Sequence, residues 1–140
     1  REELRTGYRH CAELEDAIAI GAVLLAREQG ATAAIRAKIS SYQESRYESQ
    51  PREPSAGCIF KNPPGDFAGR IIDQLGLKGL RVGDAEVSAV HGNFIVNRGK
   101  ATGTDVIALV RQIRQAVREK RSIELEPEVL LYGRDWRDVL

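Results

Sequence analysis

Few residues in this chain have types and spacing that could do chemistry. Cys58 follows the small pair Ala56-Gly57, precedes Ile59-Phe60, and is succeeded at once by Lys61-Asn62. Small residues let a ligand come close to the backbone. A thiol with a pKa of about 8.5 can give up a proton at neutral pH, and Lys61 and Asn62 add a cation and an amide. The plainer reading of Cys58 is a small, inert core residue. Glu126-Pro127-Glu128-Val129 sets two carboxylates two residues apart in extended chain. One of them aimed into a cleft would be an acid; two solvated acids are the simpler alternative. His10 and His91 are isolated, and His91 falls in an expected hairpin turn from which it could face a ligand.

Other patterns carry less. Gly76, Gly79 and Gly83 do not have dinucleotide-loop spacing, and Gly99-Lys100-Ala101-Thr102 lacks the upstream glycine of a phosphate loop, Phe94 standing there instead. Arg111, Arg114 and Arg118 share a helix face, but Glu119 and Glu124 are near and the stretch has no aromatic residue. A solvated face with cations toward the helix C-terminus is expected rather than a nucleic-acid surface. The balance of 21 basic and 20 acidic residues, net +1, supplies no global field for nucleic acid. Two distant cysteines, Cys11 and Cys58, make no disulfide framework, and with two histidines they leave a structural zinc site without ligands, so no metal is expected. The longest uncharged apolar run, Ala17 to Ala26, is too short to span a bilayer. No signal-peptide pattern is visible. A chain that starts at Arg1 and contains no Met is expected to be a piece of a longer protein.

The elements that must position these residues follow from periodicity. A buried strand is expected over Ala17–Arg27, and a helix over Ala33–Tyr47 capped by Thr32, with Ile35 and Ile39 one turn apart. Pro51 and Pro54 break regular structure in Ser49–Pro54, which places a domain boundary there, dividing 1–50 from 51–140. Beyond it come a very short strand at Ser55–Cys58 and a short helix, Phe67–Leu75, capped by Asp66 and ended by Gly76. A loop punctuated by Gly79 and Gly83 leads to a hairpin, Glu86–Val90 and Asn93–Asn97. Val106, Leu109, Val110, Ile113 and Val117 form the apolar stripe of a long helix from Thr102 or Thr104 to about Lys120. Ile123–Leu125 and Val129–Tyr132 read as strand interrupted by Pro127. The fold class is α+β, a small sheet with helices on one face.

Taken in order, Gly7-Tyr8-Arg9, Gln50-Pro51, Ser55-Ala56-Gly57-Cys58-Ile59-Phe60-Lys61-Asn62-Pro63, Ala68-Gly69-Arg70-Ile71-Ile72, Gly76-Leu77-Lys78-Gly79, Val87-Ser88, Asn93-Phe94-Ile95-Val96-Asn97, Ala101-Thr102 with Asp105-Val106, and Leu125-Glu126-Pro127-Glu128-Val129 resemble the C-terminal part of the UDP-N-acetylenolpyruvoylglucosamine reductase family. The likeness runs from about Gly7 to Gly133. The direct step from Asn62 into the short helix is similar to the shorter subclass of the family.

The resemblance implies an oxidoreductase of peptidoglycan synthesis, in the bacterial cytoplasm, with FAD and NADPH as cofactors. NADPH reduces bound FAD, and a hydride passes to C3 of the enolpyruvyl group of UDP-N-acetylglucosamine enolpyruvate. C2 must then be protonated. The family's proton donor stands directly after Ser-Ala-Gly, which is Cys58 here, where a serine is usual. A thiol is a stronger acid than a hydroxyl and more open to oxidation. By the same resemblance Glu128 is the carboxylate that stabilises or protonates the intermediate. Asn62 holds the diphosphate, Tyr8 packs over the UDP-sugar, and His91 contacts the nucleotide. The FAD-binding domains and a catalytic arginine are expected N-terminal to this segment. Residues 1–50 would then be the tail of the flavin-binding region, and residues 51–140 the substrate-binding domain. The segment alone is expected to be inactive. Two rival readings are a sugar-nucleotide binding module without catalysis, motivated by the cysteine, and a nucleic-acid binder using the basic helix face.

Overall fold

A computed structural model describes residues 4–14, 21, 23 and 29–140. The strand expected over Ala17–Arg27 lies almost wholly outside the described residues. The structure divides into two units, Arg1–Arg36 and Ala37–Leu140.

In the first unit, β1 (Thr6–Gly7) and β2 (His10–Cys11) form a tiny antiparallel hairpin. Arg9 takes the left-handed conformation (φ 56°) in its turn, and Arg5 pairs with Glu13 across its base at 2.7 Å. Elements of two residues are too short to show the alternation that marks a strand. α1 (Thr32–Ser49) runs from this unit into the next, two residues longer at its end than expected, with Ile35 and Ile39 about half exposed.

The second unit has a four-stranded antiparallel sheet in the order β3 (Ser55–Cys58), β6 (Phe94–Asn97), β5 (Ala85–Val87), β4 (Arg81–Val82). β5 and β6 are the expected hairpin, with Val87 opposite Ile95, but the strands are shorter and Ser88 to Asn93 form the connection. β4 falls in the stretch expected to be loop. Its two residues pair with Ala85 and Glu86 around the turn at Gly83-Asp84, where Arg81 pairs with Asp84. Alternation sends Ala85, Val87 and Ile95 to one face. There they meet Ile71 and Ile72 of α2 (Ala68–Gln74) and Leu109, Val110, Ile113 and Val117 of α3 (Gly103–Arg121) in one core. Helices on a small sheet is thus the architecture, as expected for α+β.

α3 starts where expected, because Thr102 and Asp105 form a reciprocal capping box. α2 differs in its cap. Phe67 is the N-cap and has no side-chain acceptor, while the N–H of Ala68 is satisfied by Asn62 Oδ1 at 3.0 Å. Asp66 instead accepts from the Phe67 N–H and pairs with Arg70.

The strands expected over Ile123–Leu125 and Val129–Tyr132 are not formed. This stretch makes a single bridge, Phe60 with Pro127. Pro127 has no N–H to extend a ladder, so only Lys61 N–H to Glu126 O (2.9 Å) and Glu128 N–H to Ile59 O (2.7 Å) tie it to the sheet edge. A four-residue helix that the sequence did not suggest, α4 (Trp136–Val139), follows an Asp135–Asp138 capping box. Among the described residues no helix is long and apolar enough to cross a membrane.

Candidate functional site

β3 does not run straight. Ser55 pairs with Val96 and Cys58 with Phe94, so β3 carries one residue more than its partner in that interval. Gly57 absorbs the bulge at φ 84°, a conformation a side-chain-bearing residue adopts only with strain. Cys58 therefore sits at the end of a kinked strand, partly exposed, with Ile59 and Phe60 behind it sunk in the core.

The residue that fixes this turn is Asn93, which sequence reasoning quoted within a motif but assigned no role. Its side chain is 3% exposed. Its Oδ1 accepts from the Phe60 N–H (2.9 Å) and its Nδ2 donates to Phe60 O (2.8 Å), so the amide replaces a missing strand partner. Its own carbonyl accepts from the Ile59 N–H at 2.9 Å. The Cys58–Asn62 stretch is thus held between Asn93 on one side and Glu126 and Glu128 on the other. A buried asparagine is uncommon enough that it needs partners, and two opposed backbone groups on one residue supply them.

Cys58, Asn62 and His91 line one cavity of about 370 Å³, together with Gly69, Arg70 and Lys78. Because Asn62 Oδ1 is committed to the start of α2, its NH₂ group is the part left to donate to a ligand. Arg70 is paired with Asp66 (2.8 Å) and Lys78 with Asp73 (2.9 Å). These ion pairs at the surface hold the two cations in place without neutralising their hydrogen-bonding capacity.

His91 is packed tightly. Its Nδ1 accepts from the Asn93 N–H at 3.1 Å, which places the proton of the neutral ring on Nε2. Its ring meets Phe94 edge-on at 4.9 Å. Gly69 makes room for it, since a Cβ there would lie 2.9 Å from His91 Cε1. Burial, and then the charge of Lys78, hold the His91 pKa below its usual 6.5, against a smaller opposite effect of its backbone hydrogen bond. At neutral pH it is an uncharged N–H donor. Two cations, each paired with a carboxylate of which Asp73 also lines the cavity, together with an amide and an imidazole N–H, offer hydrogen-bond donors to a ligand with anionic oxygens such as a diphosphate.

The remaining sequence-derived candidates lie on other elements. Among the described residues Glu128 is outside the lining of this cavity, and its main chain bonds to Ile59, next to Cys58. Tyr8 belongs to the first unit, exposed in the turn between β1 and β2. Arg111 and Arg114 are not merely a solvated face: Arg114 Nε donates to Leu125 O (2.8 Å) and Arg111 Nε to Val139 O (2.5 Å). Arg118 does fit the solvated reading, largely exposed beside Glu124. Arg70 and Lys78 were quoted only as motif residues. Their signal was positional, a cation one turn into the helix that Asn62 caps and a lysine between two glycines.

The profile of the family described as UDP-N-acetylenolpyruvoylglucosamine reductase, C-terminal domain, matches residues 50–132. The UDP-N-acetylenolpyruvoylglucosamine reductase of Thiobacillus denitrificans is 46% identical over 136 residues, covering 94% of this chain and 41% of the relative. That of Alkalilimnicola ehrlichii is 44% identical over 133 residues, covering 94% and 44%. The crystal structure of the reductase from Thermus caldophilus superposes with a TM-score of 0.61 at 48% identity, covering 74% of this chain and 37% of that one. The chain thus spans about two fifths of the length of the curated relatives it matches.

Proposed function

Since the chain belongs to the UDP-N-acetylenolpyruvoylglucosamine reductase family, matching its C-terminal domain, we propose that it is the substrate-binding part of a bacterial cytoplasmic flavoenzyme. The reaction is reduction of UDP-N-acetylglucosamine enolpyruvate to UDP-N-acetylmuramate with NADPH, for peptidoglycan synthesis. Residues 51–140 form the substrate-binding domain, and residues 1–50 the tail of a flavin-binding region that continues on the N-terminal side. The observation that carries this reading is the convergence of Cys58, Asn62 and His91 with Arg70 and Lys78 on one cavity.

Arg70, Lys78, the Asn62 amide and the His91 Nε2–H receive the diphosphate. Tyr8 packs over the UDP-sugar. FAD, when bound, would supply the hydride for C3 of the enolpyruvyl group. Cys58 gives its thiol proton to C2, and the thiolate is reprotonated from solvent, so that one hydride and one proton saturate the double bond. Glu128, the second acid, stabilises the developing enolate by hydrogen bonding or proton donation. The chain's own contribution to the cofactor site is local. Ser55 and Ala56 are exposed, and no atom lies within 4 Å of where a Cβ on Gly57 would stand, so a planar ring fits against this backbone beside Cys58. The other groups that hold FAD and NADPH, and the catalytic arginine, belong to the N-terminal domains.

The experiment is steady-state oxidation of NADPH by the full-length flavoprotein. The expected result is bound FAD and NADPH oxidation that depends on the UDP-enolpyruvyl sugar. A protein without flavin, or one that binds the sugar but never oxidises NADPH in response to it, overturns the enzyme reading; the latter is the result a non-catalytic binding module would give.

A further inference from the structure

The segment carrying Glu128 is tied down by side chains from elsewhere. Between α3 and α4 it makes one bridge to the sheet edge. Trp136 Nε1 donates to Val129 O at 2.6 Å, on the residue directly after Glu128. Trp136 is itself partly buried against the core, so its indole is fixed before it makes this bond. Its helix is fastened in turn: Val139 is 8% exposed, and its carbonyl accepts from Arg111 Nε of α3 at 2.5 Å. Arg114, one turn along α3, holds Leu125 O at 2.8 Å on the other side of Glu128. Carbonyls three residues before the acid and one residue after it are therefore both held by planar donors, one from α3 and one from a helix that α3 anchors. Trp136 and Arg111's partner Val139 both lie beyond residue 132, where the family profile match ends.

We propose that Trp136, seated by the Arg111–Val139 contact, is a positioning residue that sets where Glu128 stands during protonation of the substrate. The inference rests on the assignment of Glu128 as an acid of the reaction. A side chain that only stabilised the fold would lower the melting temperature and leave the rate of the folded enzyme alone. A positioning residue changes the rate of the step its partner serves, because a misplacement of about 1 Å at a reacting group costs up to roughly a hundredfold.

The test is a mutant cycle in the full-length holoenzyme between Trp136→Phe, which keeps the ring and removes the N–H, and Glu128→Gln. The flavin is reduced by NADPH in one stopped-flow experiment, and its reoxidation by the UDP-enolpyruvyl sugar is followed in a second. Trp136→Phe is expected to slow reoxidation by about tenfold, with flavin reduction and the KM for the sugar each within about twofold of wild type. In the Glu128→Gln background the same change is expected to have no further effect, because both act through one group. Arg111→Gln leaves the indole in place and loosens its helix; it is expected to give the same pattern more weakly, and serves if Trp136→Phe does not fold. Wild-type reoxidation in Trp136→Phe, or effects of Trp136→Phe and Glu128→Gln that multiply, overturns the inference while leaving Glu128 its role. Wild-type reoxidation in Glu128→Gln removes the role of Glu128, and the inference with it.

Discussion

Replacing Asn93 with alanine removes an amide that pairs both backbone groups of Phe60 at 2.9 and 2.8 Å inside the core. The Phe60 N–H and C=O both lose their partner away from water, since Phe60 is 1% exposed. Each orphaned buried group costs about 1–3 kcal/mol. The two share one vacated space and do not add fully, so the expected loss is about 3 kcal/mol, a large share of the roughly 5–15 kcal/mol that holds a domain together. For a unit of this size that corresponds to a fall in Tm of roughly 12–24 °C. Equilibrium urea unfolding of the purified protein measures it, with an unchanged slope expected. Asn93→Asp sharpens the test. A carboxylate oxygen would face the Phe60 carbonyl oxygen, so at neutral pH this variant is expected to be at least as unstable as Asn93→Ala. Burial raises the pKa of such a carboxyl in the folded state; as the pH falls through that raised value the carboxyl protonates and regains a donor, so the stability lost at neutral pH returns on acidification and is fully restored below the unfolded value. A loss below about 1 kcal/mol for Asn93→Ala, or Asn93→Asp equal to wild type at pH 7, would refute the clamp.

Two further outcomes follow from the His91 packing. A Cβ on Gly92 would lie 2.6 Å from the Gly69 carbonyl oxygen and 3.3 Å from the Asp73 nitrogen, both backbone. Gly92→Ala is therefore expected to cost about 1–3 kcal/mol in urea unfolding and to weaken binding of the UDP-sugar; an unchanged midpoint would mean that α2 yields freely. Because the His91 pKa is held below its usual 6.5, the unfolded chain takes up the proton first. This contribution is whole above about pH 6.5 and is lost as the pH falls from there toward the lowered folded value. Urea unfolding at pH 8, 6.5 and 5 is expected to show a shallower pH dependence in His91→Gln than in wild type, and parallel curves would contradict the assignment.

How much of this was legible in the sequence depended on the range of the signal. α3 could be read because its stripe repeats over about three turns, and Leu109, Val110, Ile113 and Val117 are all buried. β4 and α4 could not, since two and four residues carry no periodicity; in retrospect the Asp135-x-x-Asp138 spacing was the one hint of α4. The strands around Pro127 were expected from apolar content, but a residue without an N–H leaves the ladder at one bridge. Cys58 and Asn62 were legible in ordered motifs and His91 as an isolated histidine in an expected hairpin turn, and the structure brings those three together. The clamp by Asn93 and the commitment of Asn62 Oδ1 to α2 were hidden, because both are partnerships with backbone atoms distant in sequence. The roles of Arg111 and Arg114 were hidden for the same reason: a charge pattern along a helix says nothing of carbonyls arriving from the chain's end.

The central claim is that Cys58, in the place after Ser-Ala-Gly, delivers the proton that completes reduction of the enolpyruvyl group. The most direct measurement is a single turnover. The full-length protein is reduced with NADPH, mixed with the UDP-enolpyruvyl sugar, and the flavin absorbance is followed for wild type, Cys58→Ser and Cys58→Ala. The account predicts that Cys58→Ser retains measurable turnover, whereas Cys58→Ala reoxidises or forms product at least about a hundredfold more slowly, the scale of a lost general acid. Cys58→Ala turning over at the wild-type rate would contradict it and move the proton to another group.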